Sequence, residues 1–351
     1  MALIKINDRV IGYDQKPFIV VEAGINHNGE LENAFNMISI AKKSGADAIK
    51  FQTFKASEFI SDSTQLYTYI SQGKQKTESM LEMFKRYEFT PNEWKQIKEK
   101  SDHEGICFFS TPQNLTDLDL LLELGIKIIK VGSDDLTNLP LLHSYSETGL
   151  PLILSCGMSN LAEVYQALET VGALDGYPTI LLLCTSQYPT PPEDVHLRKL
   201  QTLSSAFPTI PMGFSDHTQG SLAASLALAL GACFFEKHFT LDRNLHGPDH
   251  CFSANPKELN SWIQSINKSY IMMGSSIVRP TLKEKTMRNL ARRSIVSIRD
   301  IQKGELFTTD NICLKRPGNG LSPATYNTIL GLKATHDLPI HTVLKFGDFE
   351  S

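Results

Sequence analysis

The strongest constraint in this chain is an alternation of two patterns. Eight short apolar runs lie at Pro17–Val21, Ala46–Phe51, Ile106–Phe109, Ile126–Val131, Pro151–Leu154, Thr179–Leu183, Ile210–Phe214 and Ala232–Phe235. Between and after them come stretches of helical period, among them Leu31–Lys43, Pro91–Glu104, Leu115–Leu124, Leu161–Val171, Gln219–Leu230 and Pro256–Met273. Short continuous apolar runs suit strands buried on both faces, and strands that alternate with amphipathic helices pair in parallel under a helical cover. Eight such units predict an α/β chain folded as a (β/α)8 barrel. An open doubly wound sheet shares the alternation, but its Gly-x-Gly-x-x-Gly fingerprint is missing after the first run. Ahead of that run, Ile4–Gly12 holds Asn7-Asp8 between two apolar pairs and reads as a hairpin suited to closing a barrel floor. The second strand-to-helix connection, roughly Thr53–Thr90, is the longest, and loops of that length at a barrel mouth serve as part of the site or as a lid.

The composition changes near Gly274, where Gly-Ser-Ser, Arg-Pro and a run of Lys and Arg carry no strand signal. The expected division is a barrel over residues 1–275, a linker over 276–290 and a module of short strands over 291–351, small enough to have little core of its own and to dock on a barrel. A net charge of -4, with no arginine-rich, aromatic-interleaved segment, argues against nucleic acid. No apolar run reaches the ~18 residues of a membrane span, and the first residues lack a signal-peptide pattern. Six scattered cysteines without a Cys-x-x-Cys pair read as reduced thiols, so the chain is expected in the cytoplasm.

In such a barrel the chemistry sits where the strands end. Those positions hold Glu22, Lys50 with Gln52, Ser110-Thr111, Lys130 with Ser133, Ser155, Thr185-Ser186 with Tyr188, Ser215 with His217, and Glu236 with His238. Two lysines among several hydroxyls suit an anion bearing phosphate and carboxylate groups. His217 and His238 follow consecutive strands, so parallel pairing brings them to one edge although they lie 21 positions apart. Two imidazoles near a carboxylate suit a divalent transition metal; two strand-end histidines bonded to loop backbone are the alternative. Lys50 can also serve as a salt-bridged structural lysine, and Ser155 or Ser215 as a helix cap.

Six ordered segments then add a resemblance: Val21-Glu22-Ala23-Gly24-Ile25-Asn26-His27-Asn28-Gly29, Lys130-Val131-Gly132-Ser133, Cys184 through Pro191, Gly213-Phe214-Ser215-Asp216-His217, Glu236-Lys237-His238-Phe239 and Lys315-Arg316-Pro317-Gly318-Asn319-Gly320. Together, nearly end to end, the chain resembles the sialic acid (N-acetylneuraminate) synthase family. The resemblance implies a TIM barrel followed by an antifreeze-like (SAF) domain. It also implies condensation of phosphoenolpyruvate with the open-chain aldehyde of a 2-acetamido sugar of the N-acetylmannosamine type, giving a nine-carbon ulosonic acid and phosphate. By the same resemblance a divalent metal, usually Mn2+ with Mg2+ or Co2+ as alternatives, is held by His217 and His238. Glu22 matches the family's proton-transfer carboxylate. Lys50, Lys130, Ser133, Ser155, Ser186 and Ser215 match phosphoenolpyruvate contacts, and Gln52, Tyr188 and Asp249 match sugar contacts. Arg316 matches an arginine lent to a second subunit's barrel, which implies a domain-swapped homodimer.

Several positions depart from the N-acetylneuraminate pattern: Cys156 stands where Thr often follows the strand-five serine, Gln113 replaces an aromatic residue, Asp134-Asp135 replaces Gly plus an acid, and Gln72-Gly73-Lys74-Gln75 occupies the long loop. These lie toward the sugar end. A legionaminic acid synthase, using a 2,4-diacetamido-2,4,6-trideoxy hexose, is therefore the close alternative. A pseudaminic acid synthase fits less well, because Lys315–Gly320 and His246-Gly247-Pro248-Asp249 follow the sialic and legionaminic form. A metal-dependent pyruvate aldolase and a non-catalytic carbohydrate-binding protein are the readings from other classes.

Overall fold

The computed structural model describes residues 3–351, which divide into two compact units on either side of the Gly274–Ser275 junction. In the first unit eight strands close into a barrel: Phe18–Gly24, Ala48–Thr53, Cys107–Pro112, Ile129–Val131, Leu152–Ser155, Thr179–Cys184, Met212–Ser215 and Phe234–His238. Every neighbouring pair is parallel, and the eighth strand closes on the first with Phe234 opposite Phe18 and His238 opposite Glu22. The eight predicted runs are these strands. Strands one and eight extend three residues beyond their apolar runs, because side chains that face the mouth are polar and hide the strand's end from a hydrophobicity reading.

Alternation along each strand sorts the side chains into two layers. Phe18, Val20, Ala48, Phe109, Ile128, Ile153, Ile180, Leu182 and Phe234 fill the interior of the barrel's lower half. The N-terminal hairpin, Ile4–Ile6 paired with Arg9–Ile11, adds Ile4, Ile6 and Ile11 to that cluster and so closes the floor. The outward-facing residues, including Val21, Phe51, Leu154, Phe214 and Phe235, pack under the helices. Gly213 admits no side chain, since a Cβ would stand 2.4 Å from Leu182 Cδ2 and 2.6 Å from Phe234 O. Helix starts follow local chemistry. Reciprocal capping boxes, Thr90 with Glu93 and Asn255 with Glu258, open the helices Pro91–Glu104 and Pro256–Met273.

The long second connection is structured. It contains helix Ala56–Phe59, an antiparallel hairpin of Leu66–Ser71 with Lys74–Ser79, and helix Met80–Lys85. The hairpin turns at Gln72-Gly73, both left-handed with φ of 52° and 73°. The usual signal for such a turn is Asn-Gly or Asp-Gly, and Gln in the first position concealed it. Two bonds tie the tip to the loop after strand eight: Gln72 Nε2 donates to Asn244 O at 2.7 Å, and Gly247 N donates to Ser71 Oγ at 3.3 Å.

The second unit corrects two expectations. Much of the predicted linker 276–290 is the helix Leu282–Ala291, opened by a reciprocal Thr281–Glu284 capping box that the run of basic residues masked. The small module also has its own core, with Ile295, Ile301, Phe307, Ile312, Leu321, Ile329, Ala334, Leu338 and Leu344 buried around two short antiparallel pairs, Ser294–Ser297 with Ile312–Lys315 and Lys333–Ala334 with Phe349–Glu350. Among the described residues no helix is long and apolar enough to cross a membrane, and all six cysteines are free.

Candidate active site at the barrel mouth

Just above the apolar floor, the inward positions of the strands turn from hydrocarbon to charge. Lys50 of strand two and Lys130 of strand four are almost wholly buried and approach the same oxygen, Glu236 Oε1 of strand eight, each at 3.9 Å. Lys50 Nζ also lies 3.0 Å from Glu22 Oε1 and donates to Thr111 Oγ1 at 3.2 Å. The Lys50–Glu22 approach lies off the line of a good hydrogen bond, so neither Glu22 oxygen has a well-directed donor. Lys130 Nζ donates to Ser155 Oγ at 2.7 Å and to Val131 O at 2.8 Å, and Ser215 Oγ donates to Glu236 Oε1 at 3.3 Å. Beside them Ser133 Oγ accepts from Gly157 N at 3.0 Å, and a Cβ on Gly157 would meet Ser186 Oγ at 2.4 Å and Ser133 Oγ at 2.7 Å. Ser133 and Ser186 therefore flank one open backbone position, a cradle that any side chain would fill.

The two carboxyl groups are driven apart. Burial raises Glu22 to about 8 against the pull of Lys50, so at neutral pH it holds a proton. Burial also opposes the charge on Glu236, but there Lys130 and Lys50 prevail and hold its pKa below the usual carboxylate range. Burial likewise lowers Lys130, while at Lys50 the neighbouring Glu22 and Glu236 outweigh burial and raise it. One buried acid kept protonated beside one kept ionised is the arrangement from which proton donors are made. With two ammonium groups and one carboxylate, the pocket carries a net positive charge suited to an anionic substrate.

On the other side of the mouth the rings of His217 and His238 lie 5.4 Å apart, with Tyr188 4.2 Å from His217 and 5.8 Å from His238. His217 Nδ1 donates to Thr185 O at 2.8 Å, which orients the ring, and against the pull of burial the neighbouring Cys184 and that carbonyl raise its pKa above the ordinary histidine value. Burial and the neighbouring His217 hold His238 well below the ordinary histidine range, so it stays neutral, and its Nδ1 has no hydrogen-bond partner. Asp249 Oδ2 stands 3.9 Å from that nitrogen, and burial pushes its carboxyl up to about 6. Two imidazoles 5.4 Å apart, one of them neutral with an unpartnered nitrogen, beside carboxyl groups with unpartnered oxygens, fit a divalent cation. No cluster of three or more protein ligands occurs among the described residues, so this pair would leave the remaining coordination positions to substrate and water.

The expected residues therefore converge, with one exception. Glu22, Lys50, Lys130, Ser155 and Ser215 form one linked group through Glu236, Ser133 and Ser186 flank Gly157 beside it, His217, His238, Tyr188 and Asp249 form a third group at the same strand ends, and Gln52 shares the inward face of strand two with Lys50. Arg316 lies in the second unit, where it is exposed. Sequence reading placed Glu236 at the rim without a role, although an acid two residues before a strand-end histidine must share its face. It also missed Phe252, whose ring sits 4.9 Å from Tyr188 and 5.3 Å from His238. His27, another strand-end histidine, turns away to stack on Phe89 at 4.3 Å, and burial lowers it to about 3.

Comparison with known proteins agrees with this arrangement. An N,N'-diacetyllegionaminic acid synthase of Campylobacter jejuni is 42% identical over 324 residues, covering 92% of this chain and 96% of that protein. Its counterpart in Legionella pneumophila is 39% identical over 339 residues and covers 95% of each. The crystal structure of an N-acetylneuraminic acid synthetase from Leptospira borgpetersenii in complex with citrate gives a TM-score of 0.73 at 34% identity, covering 82% of this chain and 95% of that one. The profile of the NeuB family matches residues 37–278 and that of the SAF domain residues 292–350. With two thirds of its length matched to that profile and the synthase relatives aligned almost end to end, this chain belongs to the NeuB family.

Proposed function

We propose that the protein condenses phosphoenolpyruvate with the open-chain aldehyde of a 2-acetamido sugar and water, giving a nine-carbon 2-ulosonic acid and inorganic phosphate. The observation that carries this reading is the convergence of two buried lysines, Lys50 and Lys130, on one carboxylate oxygen beside a pair of imidazoles. In this reading the lysines, with Ser133, Ser155, Ser186 and Ser215, hold the phosphate and carboxylate of phosphoenolpyruvate. Its C3 forms the new bond to the aldehyde carbon. Glu22, protonated at neutral pH, gives its proton to the aldehyde oxygen as that oxygen becomes a hydroxyl. Water adds at C2 and returns a proton, and the bond from C2 to the phosphate oxygen breaks. When bound by His217 and His238, a divalent cation, Mn2+ with Mg2+ or Co2+ as alternatives, supplies Lewis-acid polarisation of the aldehyde. Gln52, Tyr188 and Asp249 contact the sugar, and Arg316 reaches it from the second copy in a domain-swapped homodimer.

The sugar divides this reading in two. Similarity to two proteins named as N,N'-diacetyllegionaminic acid synthases, at 42% and 39% identity, favours a 2,4-diacetamido-2,4,6-trideoxy hexose over N-acetylmannosamine. The test is phosphate release from phosphoenolpyruvate with each sugar in turn, with and without a chelator. Sugar-dependent, chelator-sensitive release is expected, fastest with the diacetamido sugar. Carbon–carbon bond formation from pyruvate without phosphate release would instead make the protein an aldolase.

A further inference from the structure

The two candidate metal-binding histidines are each preceded by a charged residue that no role above uses, and those two residues meet. Strands seven and eight pair with Ser215 opposite Glu236, and Asp216 N donates to Glu236 O at 2.8 Å, so Asp216 and Lys237 are also neighbours. Strand alternation sends His217 and His238 into the mouth and Asp216 and Lys237 outward, under the helix Pro256–Met273. There both are buried, and Lys237 Nζ lies 3.1 Å from Asp216 Oδ2. The same oxygen accepts from Trp262 Nε1 at 2.8 Å, and Oδ1 accepts from Thr218 N at 2.9 Å and Thr218 Oγ1 at 2.7 Å. The Lys237 ammonium makes two further bonds, to the carbonyls of Asp216 and Thr218, the residues on either side of His217. The side chain adjoining one imidazole thus clasps the backbone on both sides of the other.

We propose that Lys237, oriented by Asp216, is a positioning residue that sets the separation of the His217 and His238 rings and so the geometry of the divalent-cation site. The inference rests on the metal-binding part of the function proposed above. Hydrogen bonds from His217 to Thr185 O and from Thr190 N to His217 O orient that residue from the strand-six side; from strand eight, Glu236 O holds Asp216 N on one flank, and Lys237 holds the carbonyls on both flanks. Lys237 has no access to substrate, because its ammonium is enclosed by backbone carbonyls, Asp216 and the Trp262 ring at 5.9 Å. Trp262 bonds only to the Asp216 carboxylate, from outside, and makes no bond to the backbone on either side of His217.

The test is Mn2+ titration of the full chain, followed by the paramagnetic resonance of free and bound Mn2+, with thermal melting measured on the same samples in chelator. Lys237→Met should weaken Mn2+ binding about 10- to 100-fold and change the bound-ion spectrum. Trp262→Phe should lower the melting temperature yet bind Mn2+ as the wild type does. If Lys237→Met alone does not fold, the pair Asp216→Asn with Lys237→Met, which leaves no unpaired buried charge, carries the same expectation. A lysine variant that binds Mn2+ with wild-type affinity and spectrum, whatever its melting temperature, overturns the positioning role and leaves the metal reading intact. A wild-type chain that binds no Mn2+ overturns both.

Discussion

Strand eight passes from one physical regime to another within five residues. Phe234 stacks on Phe18 with ring centroids 5.4 Å apart in the closed floor, where hydrocarbon from most of the strands and the N-terminal hairpin leaves no room for water. Two and four residues on, Glu236 and His238 carry an oxygen and a nitrogen with no partner, as does Glu22 on the adjoining strand one. Each such buried group costs about 1–3 kcal/mol. The same strands therefore store stability at one end and give it up at the other, and the groups left unsatisfied are the ones available to a substrate. Substitutions at the two ends should separate accordingly, turnover falling without stability at the mouth and stability without turnover at the floor.

The largest separation is expected at Glu22. Glu22→Gln keeps the shape and removes the proton, so turnover should fall about 10²- to 10⁴-fold. Its effect on stability is set by pH. The folded chain holds a proton on Glu22 up to about 8, whereas the unfolded chain releases it near the ordinary glutamate value of 4.5. Between those values the native state binds the extra proton, so this group makes stability decline as pH rises through the window. Buried His27, His238 and His250, held below the usual range, act in the opposite sense, so the measure is the difference: in urea titrations from pH 5 to 8 the stability of the wild type should fall relative to that of Glu22→Gln as pH rises. A variant with full turnover, or one with an unchanged pH slope, would remove Glu22 from the proposed chemistry.

The opposite substitution is Phe234→Ala. Losing a fully buried ring from the floor should cost about 3–5 kcal/mol of unfolding free energy, measurable by denaturant titration. The molecules that remain folded should keep the Michaelis constant for phosphoenolpyruvate. A large rise in that constant, with little change in stability, would mean that floor and mouth are not separable.

The sequence shows these two ends unequally. The floor is legible because buried parallel strands write themselves as unbroken apolar runs, and Ile4, Ile6 and Ile11 stand on either side of the Asn7-Asp8 turn ahead of the first of them. The mouth is legible in its residue types, since the strand-end rule collects Glu22, Lys50, Lys130, His217 and His238 from separate segments. What it hides is direction and pairing. Asp216 and Lys237 look like two more rim charges until alternation turns them outward, and even then nothing in the sequence says that Lys237 clasps the carbonyls beside His217. The Gln72-Gly73 turn and the helix Leu282–Ala291 were missed for a related reason: each depends on a local hydrogen-bonding device in a segment whose composition suggests loop.

The smallest expected effect probes the mouth without touching a charge. Gly157 has no left-handed φ, so alanine meets no backbone strain there, and the atoms its methyl group would strike are the hydroxyls of Ser186 and Ser133, with Ser133 Cβ at 3.1 Å needing to give by only a few tenths of an ångström. Both hydroxyls are ends of short, rotatable side chains, so Gly157→Ala should leave the melting temperature within a degree or two of wild type, as a change worth only a few tenths of a kcal/mol would. The displaced hydroxyls can no longer close on the same anion, and the loss of about one hydrogen bond to a charged group would raise the Michaelis constant for phosphoenolpyruvate about tenfold. The Michaelis constant for the sugar should stay as it is. If the sugar constant rises and the phosphoenolpyruvate constant does not, the serine side of the mouth holds the sugar, and the assignment of the two halves is reversed.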